Sequence, residues 1–502
     1  MLKILRTTAA LVIFTLLSFY FLDFARILPR SFHVLSQIQF IPALLAVNIF
    51  VILAIFVFTL LFGRIYCSVI CPMGIFQDII SRFSKLVNRK KKKQVYRKNM
   101  PVLRWSVVCI VFILILLGLT TWAGILDPYS AYGKMATHLF KPVYLLGNNI
   151  LASICNHFGN YTFYRVEIVM FGGFSFVVAM LIFLIIGILA WKNGRLYCNT
   201  ICPVGTVLGF FSKYSFFKIR LNADKCVSCG LCADKCKALC IDTQTKTIDY
   251  SRCVNCFNCL GSCSKKGISF SPAKLKIEQS ADEKKRQFLL AGLTTAIGIP
   301  AALAQKKAEL LTENDKNSRQ TAISPPGSIS AEHLQKQCTS CHLCVSKCPS
   351  KVLKPAFLEY GIGGMMQPVM HFEKGFCNYN CRMCSNICPT GALTPLTVEQ
   401  KHLTQVGRVV FRPQHCVVYA KGYNCGACSE HCPTQAVKMM PDKNGLTIPT
   451  IDPDICVGCG GCEFICPARP RAIYVEGNKI HQQAKPFSVE EKKEMEITEF
   501  GF

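Results

Sequence analysis

The sequence predicts an α-helical membrane domain joined to small, cysteine-rich α+β domains. Three observations predict it. The 502 residues are 51% hydrophobic and only 17% charged, with a mean hydropathy of +0.32, which excludes a wholly soluble protein. Four apolar stretches are each about 20 residues or longer, enough for a helix to span a bilayer. The 31 cysteines fall in tight clusters, a pattern of metal binding rather than of disulfides or an ordinary enzyme core. At ~150 residues per domain, the length predicts about three units.

The apolar stretches lie near 4–25, 39–63, 102–126 and 167–191, and lack the polar face of a helix lying on a soluble core. Arg82, Lys85, Arg89, Lys90, Lys91, Lys92, Lys93, Arg97, Lys98 and Arg104 sit between the second and third, so this short loop belongs in the cytoplasm. The N-terminus is then cytoplasmic, and loops 26–38 and 127–165 are periplasmic. The formal charge of +28 is explained in part by this orientation, and metal-bound thiolates would offset more of it. With no aromatic–basic module in view, the expected partner is membrane lipid and not nucleic acid.

A fifth apolar stretch, QFLLAGLTTAIGIPAALA at 287–304, follows Lys284-Lys285-Arg286. A basic head, a short apolar body and Ala302-Leu303-Ala304 have the shape of an export signal. The pair is Lys-Arg where a twin-arginine signal has two arginines. Residues 284–304 are therefore expected to be a Tat-like signal or fifth transmembrane helix, with the rest of the chain in the periplasm. Residues 305–337, with Pro325-Pro326-Gly327, read as a linker, and 481–502 as a tail.

Residues 63–74, GRIYCSVICPMG, recur at 194–205 as GRLYCNTICPVG. Each copy follows an even-numbered apolar stretch. Residues 1–215 thus form a four-helix domain of two repeated hairpins, with Cys67, Cys71, Cys198 and Cys202 converging on one cytoplasmic-side cofactor site. Cys-x-x-x-Cys sets two sulfurs one turn apart on one helix face. Four such soft ligands suit iron–sulfur or zinc, and a redox-active dithiol is the alternative. Cys109 and Cys155 have no partner at ligand spacing.

Residues 216–275 carry Cys226, Cys229, Cys232 and Cys236, then Cys253, Cys256, Cys259 and Cys263. Both runs keep the Cys-x-x-Cys-x-x-Cys-x-x-x-Cys pattern of two-cluster ferredoxins. There the first three cysteines grip one 4Fe–4S cluster and the fourth reaches the other. Cys226, Cys229, Cys232 and Cys263 are expected to share one cluster, and Cys253, Cys256, Cys259 and Cys236 the second. Lys237 and Ser264 stand where proline usually follows, and Cys240 is surplus.

Residues 338–480 carry four more runs. They are Cys338, Cys341, Cys344 and Cys348; Cys377, Cys381, Cys384 and Cys388; Cys416, Cys425, Cys428 and Cys432; and Cys456, Cys459, Cys462 and Cys466, each closed by proline. They predict four more clusters, about six in all, with adjacent and nested pairing both open. Zinc modules instead set two Cys pairs across a long gap. Cys338-x-x-Cys341-His342 also spells a c-type haem attachment, which would not require Cys344 and Cys348.

On the two GR-[IL]-YC-x-x-IC-P repeats and the two-cluster runs after them, residues 1–270 resemble the NapH type of ferredoxin-type protein. Residues 284–470, a signal and four ferredoxin motifs, resemble the NapG or MauM type, so the chain looks like a fusion of the two. The resemblance implies an inner-membrane protein, helical with α+β ferredoxin-like iron–sulfur domains. It implies that electrons from the quinol pool pass through the clusters to a periplasmic redox partner protein. A quinone would be a further cofactor, and quinol dehydrogenase an associated activity. Asp127 and His138 are candidate proton acceptors on charge, although Asp127-Pro128 also reads as a helix-ending turn. No catalytic residue is expected, because the chain spaces, buries and tunes its clusters while they carry the chemistry. Related membrane polyferredoxins serve maturation or regulation of metalloenzymes, which is the alternative function.

Overall fold

The computed structural model describes residues 1–87, 96–170, 172–263, 265, 267–272, 319–442 and 445–486. The expected signal or fifth helix at 284–304 lies outside the described residues, as do 305–318 of the expected linker and 487–502 of the expected tail.

The helices of the first half include α1 (Leu2–Leu22), α2 (Phe40–Leu45), α3 (Ile49–Phe62), α4 (Tyr66–Val69), α5 (Pro72–Val87), α6 (Pro101–Leu116), α7 (Thr120–Leu126), α8 (Pro128–Met135), α9 (Lys141–His157), α10 (Gly173–Asn193), α11 (Leu196–Thr200) and α12 (Pro203–Ser212). Only α1 and α10, among the described residues, are long and apolar enough to cross a membrane; α3, α6 and α12 are apolar but shorter. The single helices expected at 39–63 and 102–126 are each broken in two. Between α2 and α3 the chain turns at Val47, with φ of 52°, and Asn48 restarts the helix by accepting from the Val51 N–H at 3.2 Å. Between α6 and α7, Gly118 takes φ of 71°, which a glycine adopts without strain. Apolar residues flank both breaks, so hydropathy alone ran through them.

A belt of large apolar side chains stays exposed, including Phe50, Leu53, Phe112, Leu181 and Ile188. Such a surface marks a membrane or a partner. Inside the belt one core runs without interruption from Ile219 and Cys253, through Leu17, Phe76 and Tyr132, to Cys341 and Ile387.

The cysteine-rich parts occupy opposite ends of these helices. The first sits where α3 and α10 end and α6 begins. There Arg104 Nη1 donates to Ser251 Oγ at 3.0 Å, and the Arg195 N–H donates to the Lys237 carbonyl at 3.1 Å. The second sits where α1 and α6 end and α10 begins. Lys347 Nζ donates to the Asp23 carbonyl at 3.0 Å, Thr120 Oγ1 donates to the Cys338 carbonyl at 2.9 Å, and the Phe174 and Phe357 rings lie 5.3 Å apart.

Both parts are built from short antiparallel pairs. In the first, β1 (Phe217–Leu221) and β4 (Ile268–Pro272) form an outer pair around the hairpin of β2 (Ile241–Asp242) and β3 (Thr247–Ile248). The second opens with β5 (Leu353–Pro355) on β6 (Pro368–Met370). It then repeats the outer-pair plan, with β7 (Thr404–Phe411) on β10 (Ile473–Gln483) around β8 (Val437–Pro441) and β9 (Thr447–Ile451).

Two boundaries shift. Residues 319–337, read as part of a linker, are built into the second part. The Met370 N–H donates to the Ile323 carbonyl at 2.9 Å, and Ser330 caps helix Ala331–Gln337 by accepting from the His333 N–H at 3.0 Å. Leu334 is fully buried. The polar composition hid one cap and one apolar anchor. Residues 481–483, read as tail, finish β10.

Candidate metal centres

Four of the six cysteine runs share a backbone device. Ser228, Asn255, Ser340 and Gly458, each just before the second cysteine of a run, have φ of 53°, 46°, 52° and 71°. Gly230, Phe257, His342 and Gly460, each just after it, are also left-handed. Two left-handed residues flanking one cysteine curl the chain into a cup, and only some positions use glycine to do so. The fourth cysteine of three runs, Cys263, Cys348 and Cys388, then ends a helical turn in extended geometry.

The structure gathers the sequence-predicted ligands into quartets. Cys226, Cys229, Cys232 and Cys263 line one cavity. Cys236 lies with Cys253, Cys256 and Cys259. Cys338, Cys341 and Cys344 take Cys388, while Cys377, Cys381 and Cys384 take Cys348. Cys416, Cys425, Cys428 and Cys466 line another cavity, and Cys456, Cys459 and Cys462 take Cys432. Of the two pairings left open by the sequence, this is the adjacent one.

The donor chemistry fits iron–sulfur clusters. Among the described residues, no three His, Cys, Asp or Glu side chains gather tightly enough to hold one metal ion. A tetrahedral zinc would need sulfurs about 3.8 Å apart, from a Zn–S bond of about 2.3 Å. Four sulfurs spread around a cavity suit a larger inorganic core. Burial, and then neighbouring sulfurs, push the Cys344 and Cys462 thiols well above a free thiol. Metal must therefore displace those protons as it binds. Haem is disfavoured by His342, whose two ring nitrogens are engaged with His138 Nε2 at 2.7 Å and the Met366 carbonyl at 2.8 Å.

Cys240 was the surplus thiol of the sequence. It is buried, with its sulfur 3.5 Å from that of the ligand Cys236. Its hydrogen bonds to Cys236 and Cys253, and then burial, hold its pKa well above a free thiol, so it stays protonated beside the cluster loop. Spacing gave no sign of this contact, which depends on the turn after Cys236.

Cys67, Cys71, Cys198 and Cys202 are brought together, all buried, where the two repeats meet. The arrangement is reciprocal. Arg195 Nη1 donates to the Cys67 carbonyl at 2.8 Å, and Arg64 Nη2 donates to the Cys198 carbonyl at 3.2 Å. A Cβ on Gly74 would overlap the Cys67 carbonyl oxygen, and one on Gly205 the Cys198 carbonyl oxygen. The glycine after each Cys-Pro is therefore what lets helix and turn close. The Gly205 N–H donates to Cys202 Sγ at 3.3 Å, and Gln77 Nε2 to Cys198 Sγ at 3.1 Å.

Asp127 and His138 are both buried and engaged with neighbouring side chains. Asp127 is buried and accepts from Ser130 Oγ at 2.6 Å; burial pushes its carboxyl up. Burial, then Lys134, takes His138 down to about 4, so it is the neutral partner of His342. A cavity of about 410 Å³ lies nearby, lined by Phe24, Thr137, Lys141, Leu145, Tyr164, Glu167 and the ligand Cys348. Nothing in the spacing of these residues announced it.

Comparison with known proteins agrees with this chemistry. A family model described as a 4Fe–4S binding domain matches residues 44–94, 173–223 and 384–398. Two described as 4Fe–4S dicluster domains match 421–469 and 249–352. An uncharacterised protein of Methanocaldococcus jannaschii is 35% identical over 97 residues, 19% of this chain and 39% of that protein, so the chain spans well under half of its length. The methylamine utilization ferredoxin-type protein MauM of Methylobacillus flagellatus is 30% identical over 212 residues, 40% of this chain and 87% of MauM. The ferredoxin-type protein NapG of Escherichia coli is 28% identical over 209 residues, 38% of this chain and 84% of NapG. No solved structure matches.

Proposed function

Because the chain belongs to the family of ferredoxin-type 4Fe–4S proteins that includes MauM, we propose that it is a membrane-bound electron relay with a NapH-like and a NapG-like half. One observation carries this reading: cysteine quartets sit at both ends of one set of antiparallel helices. When bound, the 4Fe–4S clusters supply one-electron transfer. The chain's own residues hold them in sequence. The loops of Cys377 and Cys459 touch, with the Cys377 N–H donating to the Cys459 carbonyl at 2.9 Å, so the two halves of the second part are continuous. The shared core, from Val254 through Met73 and Met135 to Leu343, excludes water between the ends.

Topology follows from charge. Lys85, Arg97 and Arg104, on either side of the basic run, lie at the end that carries the first ferredoxin part, which the charge rule assigns to the cytoplasm. The second part is then periplasmic, in reach of a periplasmic redox protein. The quinol pool is the donor, and the cavity beside Cys348 is the place for its head. Phe24, Leu145 and Tyr164 supply apolar walls there. Thr137 supplies a hydroxyl; as quinol is oxidised its two electrons pass one at a time to the clusters and its two protons leave to water on the same side.

The test is reduction by a short-chain menaquinol of chain purified without oxygen and held in lipid nanodiscs. EPR signals of reduced clusters are expected within seconds. If dithionite reduces the clusters and quinol reduces none, the relay loses its donor, and a maturation or regulatory role replaces it.

A further inference from the structure

The layer between the first ferredoxin part and the Cys67–Cys202 quartet is overcharged. Three buried cations, Arg6, Arg195 and Lys237, share one buried carboxylate, Asp78, and a fourth, Arg64, has no ion pair with it. Asp78 accepts from Arg195 Nε and Nη2, both at 2.8 Å, and lies 2.9 Å from Lys237 and 3.5 Å from Arg6. In the second repeat the matching position is Gly209, against which Arg104 and the Ser251 carbonyl pack. Arg64 is therefore left with neutral acceptors only: Asn199 Oδ1, and the carbonyls of Ser251 and Cys198. It is fully buried, its Nε has no partner, and its Nη2 is 3.8 Å from Cys67 Sγ. A buried guanidinium without an anion costs several kcal/mol. The Cys67 and Cys198 sulfurs beside it are able to carry negative charge.

From this we infer that Cys67, Cys71, Cys198 and Cys202 together hold a seventh iron–sulfur cluster, whose negative charge is the missing counter-ion of Arg64. The family matches cover each repeat separately; the single site shared by both is an assignment of the geometry. The site also stands between the two ends. Arg195 reaches the quartet on one side and lies against Cys256 of the first part on the other. On the far side, Tyr197 packs against Cys202 and Asp127, and Ser130, which donates to Asp127, lies 2.8 Å from Thr339 Oγ1 in the Cys338–Cys341 loop. One electron received from either neighbour reduces the centre, and one passed to the other restores it, with no bond made or broken. The inference rests on the relay reading for its purpose but not for its evidence.

Iron, acid-labile sulfide and Mössbauer spectra of anaerobically purified full-length chain test it, against a Cys198→Ser/Cys202→Ser variant. Loss of about two or four iron atoms is expected, with all six 4Fe–4S signals kept. Unchanged iron and spectra, or stoichiometric zinc in the parent chain, would overturn it while leaving the six-cluster relay standing. Should the double variant fail to fold, Arg64→Gln serves instead. One component of its redox titration is expected to move to lower potential, because a cation near the reduced centre is lost. Titration curves that superimpose on the parent's sink the inference.

Discussion

Cys240 shows how much of a metal site lies outside its ligands. A protonated thiol 3.5 Å from the Cys236 sulfur donates to a cluster ligand, and such donors favour the more negative, reduced form. Cys240→Ala is expected to lower the potential of that one cluster by roughly 40 mV, taking about 1 kcal/mol for the lost hydrogen bond. An EPR-monitored titration reads it, and a potential unchanged within 10 mV or so would show that the thiol only fills space. The ligands themselves were plain in the sequence, because cluster chemistry fixes their type and spacing. Cys240 was not, because its role comes from the turn that folds it back. Arg64 and Arg195 were hidden for the same reason: each acts on the other repeat's cysteine loop, 134 and 128 residues away.

At the scale of elements, periodicity and composition found the apolar segments but not their interruptions. Val47 and Gly118 break two of them, and neither differs in hydropathy enough to show it. Adjacent pairing of the last four runs was likewise unreadable, since either pairing satisfies the same spacing. The segment at 319–337 looked like a linker because its contacts are backbone hydrogen bonds made with β6 and β10. His481 on β10 holds that segment through Ser324 Oγ at 2.8 Å and Ser328 Oγ at 3.3 Å. Burial, then Lys401, takes its pKa down to about 4, below the ~6.5 of an unfolded chain. The folded form thus resists a proton that the unfolded form accepts. Stability is full above pH 6.5 and declines as pH falls toward 4. Hydrogen exchange of residues 321–330 is expected to quicken several-fold more between pH 7 and 5 in the parent than in His481→Gln, after correction for intrinsic rates. Equal quickening in both would remove His481 from the account.

The whole molecule is joined more tightly than a chain of separate domains. Gly124 and Gly133 press against the Thr339 and Cys341 carbonyls, so that a Cβ at either would overlap backbone. Lys134, fully buried, donates to the Gly124 carbonyl at 3.2 Å and the Thr339 carbonyl at 3.4 Å. Gly124→Ala is expected to cost about 1–3 kcal/mol through this overlap. Limited proteolysis should then release the second part more readily, and release at the parent's rate would mean that the seam tolerates the methyl. That seam decides where outsiders can connect. Cys338 and Cys341 are buried within it, whereas Cys229 at one extremity is exposed, and Cys425 and Cys428 at the other are partly so. The seam is dry at Cys338 and Cys341 while the first part leaves Cys229 open, so on the relay reading a protein that loads or unloads charge at that end has its shortest approach through the Cys229 loop.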